Sequence, residues 1–333
     1  MTRTSTVALT ATLALLSAAA SRPSMRAPAI APSSEAFSVG MLRVEHYGKA
    51  GKPPIIFIPA LFCGAMQWQR EIEGLGDRYD IYALTMPGFD GRPRDAKGDL
   101  MNRATADLST LIESRHLDHP ILVGHSLGGT LAIRFAEQHS PELRGVIAVE
   151  GGYPVAPTAA EREAAVHQAT APYRGVDRRA LGDSLREHML QYVITSKSAV
   201  DSVQAIAARS DPGAVVDWMS EALLLDLTPG LAQVTVPLVE IVPFDPNIDP
   251  HQGFASLSAK RARYATFLSH APHGSLTMID HSRHFVMIDQ PGAFDRALYA
   301  AIAMDADRLI DSSVELFLES LRFSAPRGRG KTI

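Results

Sequence analysis

The chain has 333 residues, of which 46% are hydrophobic and 20% charged, a composition typical of a globular protein rather than a disordered or fibrous one. Its 32 basic and 36 acidic side chains give a net charge of −4 without a long basic run, which argues against nucleic acid as a partner. No Cys/His grouping has zinc-site spacing, and the nearest pair, His116 and His119, is interpreted as solvated side chains. Neither a metal nor another cofactor is therefore expected.

The amino-terminal segment, 1–20, has the pattern of a secretory signal peptide. A basic start precedes an apolar run of 14 residues, and Ala18 and Ala20 are spaced as in a cleavage site. Because a membrane-spanning helix needs about 20 apolar residues, this run predicts export to the periplasm or the exterior, without a permanent anchor. The Pro-, Ala- and Ser-rich segment 21–36 is interpreted as a disordered linker, and 323–333 as a flexible tail.

From residue 37 onward, apolar runs of strand length alternate with helical patterns. This order is typical of an α/β domain with a mostly parallel sheet covered on both faces. The predicted strands are Leu42–Tyr47, Ile55–Ile58, Ile81–Thr85, Ile121–Val123, Gly145–Val149, Leu238–Val242 and Ser275–Ile279. The predicted helices between them are Ala65–Leu75, Leu100–His116, Leu127–His139 and Phe254–Ala271.

One segment, 153–233, lacks a strand-like run and divides the core into 37–152 and 234–322. Its helical stretches are Ala159–Thr170, Arg178–Thr195, Ala199–Arg209 and Pro212–Leu225. Because this segment is long for a strand crossover, we interpret it as a helical cap over the carboxyl edge of the sheet.

The most informative motif is G-x-S-x-G, from Gly124 to Gly128, between a predicted strand and a predicted helix. Such a turn is tight, so the residues two before and two after Ser126 must lack bulky side chains. The turn lifts the hydroxyl of Ser126 clear of the sheet and directs the Leu127 amide toward a forming oxyanion. We therefore predict that Ser126 is a nucleophile.

With this motif the chain resembles the α/β-hydrolase superfamily, from about Val39 to about Leu298. The most specific pieces are Gly124-His125-Ser126-Leu127-Gly128-Gly129 and Ser282-Arg283-His284-Phe285, the latter followed by Asp289-Gln290-Pro291. The resemblance implies an α/β-hydrolase fold with an eight-stranded, mostly parallel sheet, helices on both faces and a helical cap inserted after the sixth strand. It also implies a Ser/acid/His triad that hydrolyses a carbonyl compound without a cofactor.

A serine hydroxyl needs a neighbouring imidazole as its base. His284 is the predicted base, because it follows the last predicted strand and is placed like the catalytic histidine of the family. His281 is the alternative in the same loop, and is interpreted as a polar loop residue. His125, beside the nucleophile, is interpreted as a packing or hydrogen-bonding residue.

The acid should lie between Ser126 and His284 in the chain. Asp245 follows the strand Leu238–Val242, the commonest position of the family's acid, and is slightly favoured. Glu150 ends the preceding strand and is the close alternative, as in some family members that carry the acid there. Asp249 is a third, weaker choice.

The loop after Ile55–Ile58 is expected to supply the second oxyanion donor, through the amide of Leu61. Pro59 and Ala60 stand where the family most often has His-Gly, but a backbone donor does not depend on those side chains. Cys63 is expected to be buried and unreactive.

Together these residues predict a serine hydrolase, such as a carboxylesterase, that acts on a small or medium ester, thioester or lactone through an acyl-enzyme. Carbon–carbon bond hydrolysis, perhydrolysis and acyl transfer use much the same triad and remain open. A ligand-sensing protein of the same fold is a further alternative. The expected partner is a small acyl substrate, and the sequence leaves the oligomeric state undetermined.

Overall fold

A computed structural model describes residues 33–304. Eight strands form one sheet in the order β1-β2-β4-β3-β5-β6-β7-β8. The strands are β1 (Glu35–Val39), β2 (Leu42–Gly48), β3 (Pro54–Ile58), β4 (Asp80–Thr85), β5 (Ile121–His125), β6 (Gly145–Val149), β7 (Leu238–Phe244) and β8 (Gly274–Asp280). Every strand predicted from the sequence is present.

All neighbouring strands from β4 to β8 run parallel, and only β2 runs antiparallel to its neighbours β1 and β4. Strands β3 to β7 are buried along their whole length, which explains their near-continuous runs of Ile, Val and Leu. The predicted fold class is confirmed. Because parallel strands end at one edge, the loops after β3, β5, β6, β7 and β8 meet there.

The sequence does not predict β1. This strand begins at Glu35, inside the segment interpreted as a linker, and pairs only with β2. Its position at the sheet edge leaves it partly exposed, so it lacks the apolar run of the inner strands. The predicted signal segment, the rest of the linker and the tail lie outside the described residues.

Helices cover the sheet and fill the connection between β6 and β7. Those of the core are α1 (Gln69–Leu75), α2 (Leu100–Ser114), α3 (Leu127–His139), α9 (Leu257–Leu268), α10 (Val286–Asp289) and α11 (Pro291–Ile302). Those between β6 and β7 are α4 (Ala159–Thr170), α5 (Arg178–Leu185), α6 (Gln191–Val193), α7 (Lys197–Ala207) and α8 (Pro212–Leu224). A π-helical turn, Arg186–Leu190, interrupts the single helix predicted over 178–195. Among residues 33–304 no helix is both long and apolar enough to cross a membrane.

Helix α8 ties the inserted helices to the core. It packs against α4 of the inserted segment and against α2 and α3 of the core. The buried indole of Trp218 donates a hydrogen bond of 3.1 Å to the carbonyl of Pro87, in the loop after β4. Gly88, next in that loop, has φ of 85°, and a β-carbon there would lie only 2.1 Å from that of Ala214. The inserted helices are therefore held over the carboxyl edge of the sheet.

Candidate active site

Ser126 occupies the sharp turn between β5 and α3. Its backbone has φ of 54° and ψ of −115°, a strained conformation for a residue with a side chain. A β-carbon at Gly124 would lie 2.2 Å from the carbonyl oxygen of Gly128, and one at Gly128 would lie 2.2 Å from that of Ile58. Both glycines are therefore required for the turn to close, and the strain is local to the serine.

Leu61 and Leu127 line a cavity together with Ser126, and their backbone amides have no acceptor within residues 33–304. Leu127 is the first residue of α3, so its N–H has no acceptor within the helix. Within the described chain neither this amide nor that of Leu61 donates to another backbone or side-chain group. Both residues line the same cavity as Ser126. Both amides are therefore candidates for the two donors of an oxyanion hole.

His284 lies in the loop after β8 and also lines this cavity. Its Nδ1 lies 2.6 Å from Oε2 of Glu150, and its side chain is about 25% exposed. Among residues 33–304, no direct hydrogen bond joins the side chains of Ser126 and His284. Such catalytic hydrogen bonds are often long or poorly aligned in ligand-free sites. His281, the alternative in the same loop, is 74% exposed and pairs with Asp280.

Glu150 is the carboxylate that the fold brings to the imidazole. It follows β6 with φ of 44°, and a β-carbon at the next residue, Gly151, would lie 2.7 Å from the carbonyl oxygen of Ser126. Burial raises the pKa of Glu150, but Lys260 and His284 outweigh it and lower the pKa to about 2. Glu150 is therefore ionised at neutral pH.

Asp245, the slightly favoured candidate, does not contact His284. Its Oδ2 accepts a hydrogen bond of 2.6 Å from Nε of Arg283, and its Oδ1 accepts from the backbone and side-chain amides of Asn247. Asp249 is likewise occupied, since its Oδ1 binds Lys260 and its Oδ2 accepts from the backbone of Asp245. Both carboxylates are occupied by partners other than His284, so the geometry favours Glu150.

His125 links the parts of this site. Because a carbonyl oxygen only accepts, its Nε2 donates to the carbonyl of His284 at 2.9 Å, and its Nδ1 accepts from the side-chain amide of Gln67 at 3.0 Å. Gln67 Oε1 in turn accepts from the amide of Ala60, next to Leu61. Burial and the neighbouring His284 lower the pKa of His125 well below its usual range. The neutral ring therefore joins the loop after β8 that carries His284, the histidine loop, to the loop after β3 that carries Leu61.

The histidine loop is also joined to the inserted helices. Phe285 donates its amide to the carbonyl of Val193 at 3.0 Å, and Arg283 binds the carbonyls of Gln191 and Ile194. Asp289 accepts from the backbone and hydroxyl of Thr195, and its other oxygen accepts from the backbone of Arg283. The position of His284 is thus coupled to the segment 191–195.

A cavity of about 910 Å³ is lined by Ser126, Leu61, Leu127, Glu150 and His284. The inserted helices give it an apolar wall, made of Met189, Val193, Trp218, Met219, Ala222 and Leu223. The lining also includes three cationic side chains, Lys260, Arg263 and Arg283. Two of these cations are paired, Lys260 with Glu150 and Asp249, and Arg283 with Asp245.

The free cysteine and the possible metal ligands complete the description of the site. The thiol of Cys63 is buried, and burial raises its pKa, as for an unreactive side chain. Within residues 33–304 no cluster of three His, Cys, Asp or Glu side chains could hold a metal ion.

Sequence reasoning does not identify Lys260, Gln67 or Arg283 as part of the site. Only Lys260 has a readable signal, because it shares the buried face of α9 with Tyr264, Phe267 and Leu268. A lysine on such a stripe requires a buried counter-charge. Gln67 and Arg283 pair with His125 and Asp245, which are 58 and 38 positions away, and these pairings leave no local pattern.

The sheet order, the inserted helices and the strained serine turn define the class of α/β hydrolases. The chain belongs to the alpha/beta hydrolase family, whose model matches residues 55–297.

Similar proteins include two named 2-succinyl-6-hydroxy-2,4-cyclohexadiene-1-carboxylate synthase. The one from Serratia proteamaculans is 33% identical over 203 residues, which are 59% of this chain and 78% of the relative. The one from Klebsiella pneumoniae strain 342 is 29% identical over 258 residues, 77% of this chain and 96% of the relative. A thermophilic esterase from Thermogutta terrifontis has a similar structure, with a TM-score of 0.65 at 18% identity, covering 81% of this chain and 98% of the esterase. Family and relatives support a hydrolase-type enzyme.

Proposed function

We propose that this protein is a serine hydrolase that cleaves a small or medium carboxylic ester, thioester or lactone through an acyl-enzyme. One observation carries the proposal. A single cavity is lined by Ser126 on its strained turn, by Leu61 and Leu127, whose backbone amides have no acceptor within residues 33–304, and by His284, which is bound to Glu150. These are the parts that acyl transfer requires.

In the proposed reaction, Oγ of Ser126 attacks the carbonyl carbon while Nε2 of His284 takes its proton. The negative charge on the carbonyl oxygen is stabilised by the amides of Leu61 and Leu127. The intermediate collapses, the bond to the leaving group breaks, and the imidazolium returns its proton to the departing alcohol, thiol or ring oxygen. Water then attacks the acyl-enzyme with His284 again as base, which releases the acid and restores the serine. Glu150 holds the imidazole and stabilises its charged form.

The lining supports an uncharged acyl group as the substrate. The wall formed by the inserted helices is apolar, and the positive charges of Lys260 and Arg283 are compensated by carboxylates. A cavity of about 910 Å³ suits a substrate of small to medium size.

A second candidate is carbon–carbon bond cleavage in a substrate that carries a carboxylate. Arg263 favours it, because this cation lines the cavity and has no ion pair within residues 33–304, although its guanidinium lies over the ring of Phe254. The names of the two similar proteins also refer to a carboxylate compound.

A hydrolysis screen tests the proposed ester hydrolysis. We expect p-nitrophenyl acetate, butyrate and octanoate to be hydrolysed, with a preference among them set by the apolar wall, and Ser126→Ala to abolish turnover while remaining folded. Arg263→Ala should leave these rates nearly unchanged. An inactive wild-type protein that also fails to react with serine-directed probes would instead support a ligand-sensing role.

We also propose that the enzyme is exported to the periplasm or the exterior. The support is the charged, apolar and small-residue pattern of 1–20, which lies outside the described residues. Amino-terminal sequencing of the protein recovered outside the cytoplasm of its host tests this, since export predicts a mature chain that begins near Ser21.

A further inference from the structure

Lys260 is a buried cation bound to the carboxylate that holds His284. It lies on α9 and is 2% exposed. Its Nζ is 2.5 Å from Oε1 of Glu150 and 2.6 Å from Oδ1 of Asp249. Removal of a lysine from water is costly unless its charge is matched, and these contacts supply two counter-charges.

We propose that Lys260 and Asp249 are positioning residues that act on His284 through Glu150, an inference that rests on the proposed serine-hydrolase function. Lys260 occupies one oxygen of Glu150, so only Oε2 is left for the imidazole, at 2.6 Å. Asp249 fixes the lysine in turn and is itself held by the backbone amide of Asp245, 2.7 Å from its Oδ2. The carboxylate therefore has one orientation.

Glu150, Asp249, Lys260 and His284 form a cluster whose charges also balance around the imidazole. Both oxygens of Asp249 accept hydrogen bonds, so it is a carboxylate, although burial raises its pKa. Burial lowers the pKa of Lys260, but Glu150 and Asp249 outweigh this and raise it, so the lysine is charged. Two carboxylates and one ammonium leave one negative charge, which is neutralised only when His284 is protonated. Asp249 thus cancels the lysine, and the charge of Glu150 remains available to the imidazolium.

The other groups around the cluster do not change this balance. Burial and the neighbouring Glu150 raise the pKa of Glu240, on β7, well above its usual range, so it is neutral. The same two causes raise the pKa of Tyr264, on α9, so it is neutral as well. His125 is neutral, and the charge of Arg283 is matched by Asp245.

Arg263 and Tyr153 complete these surroundings. Arg263 is an exposed cation at the cavity, and it is unchanged in the variants of Asp249 and Lys260 that test the inference. The ring of Tyr153 stacks on that of Tyr264, with centroids 4.7 Å apart. The balance therefore depends on Glu150, Asp249, Lys260 and His284.

The test is the rate at which a fluorophosphonate labels the full-length protein, measured against pH. We expect Asp249→Asn to lower the pH at which labelling is half-maximal by about one unit, because a negative charge near the imidazole is lost. Lys260→Met should raise that pH by about one unit and slow the plateau rate about tenfold, because a positive charge and the fixed carboxylate are lost. Lys260→Arg should restore most of the rate.

Lys49→Met, at an exposed lysine after β2, is the matched control and should behave as wild type. Midpoints that do not move in opposite directions would show a merely structural role and overturn the inference, as would wild-type behaviour of both variants. If Lys260→Met does not fold, the downward shift in Asp249→Asn still decides. If the wild-type protein is not labelled at all, the proposed function fails and this inference with it.

Discussion

At the scale of single residues, the site depends on which carboxylate meets the imidazole. The choice follows from the partners of each carboxylate. Asp245 is bound by Arg283 and by the backbone amide of Asn247, whereas Glu150 has an oxygen directed at Nδ1 of His284. A neutral amide in place of the true acid stabilises the imidazolium poorly and favours the wrong tautomer.

We therefore expect Glu150→Gln to reduce kcat by roughly 10³- to 10⁴-fold with little change in KM. Asp245→Asn should reduce kcat by no more than about tenfold, since it weakens the support of the histidine loop only indirectly. Steady-state kinetics on one p-nitrophenyl ester, with circular dichroism as the folding control, measures both. A larger loss in the Asp245 variant would reverse the assignment of the acid.

At the scale of elements, the hydrogen bonds of Asp289 join the histidine loop to the segment 191–195. Removal of this side chain frees the amides of Thr195 and Arg283 and should let the loop move. We expect Asp289→Ala to lower kcat/KM about tenfold while the protein remains folded, because a small misplacement of the base slows proton transfer.

Asp280→Ala is the matched control, because Asp280 lies nearby at the end of β8 but has an about half-exposed side chain. Among residues 33–304, that side chain pairs with the ring and the backbone amide of His281 and with no other group. It should retain nearly full activity. Equal activity in the two variants would show that the coupling of the loop to the inserted helices has no effect on catalysis.

Helix α1 carries a buried carboxyl group that makes stability depend on pH. Glu71 is 1% exposed, and its Oε2 has no hydrogen-bond partner within residues 33–304. Burial raises its pKa from 4.5 to about 7. Because the folded pKa lies above the unfolded one, ionisation opposes folding: stability from this group falls as the pH rises from about 4.5 through 7, and the loss is complete above 7.

We expect Glu71→Gln to stabilise the protein by up to about 3 kcal/mol at pH 8 and by much less at pH 5, since the amide resembles the protonated acid. Thermal unfolding at both pH values measures this. Glu73→Gln, at an exposed position of the same helix, should show no such pH dependence. If the difference in stability between Glu71→Gln and wild type does not increase from pH 5 to pH 8, the assignment of a buried neutral carboxyl is contradicted.

At the scale of the whole molecule, local patterns predict the elements well and their long-range pairings poorly. The inner strands and α3 are predicted because buried runs and the serine turn are continuous in sequence. The pairing of Glu150 with His284 joins residues 134 positions apart, so two carboxylates that each follow a strand look alike until the sheet is assembled. The edge strand β1 is not predicted because its partly exposed residues resemble the polar segment before them.

The proposed reaction depends on Ser126 being the group activated by His284 and Glu150. The most direct measurement is mass spectrometry of peptides from the protein after reaction with a fluorophosphonate, which bonds phosphorus to a nucleophilic oxygen and releases fluoride. We predict one adduct, on the peptide that contains Ser126, and its absence in His284→Ala. An unmodified wild-type protein, an adduct on another residue, or undiminished labelling without the histidine would contradict the account.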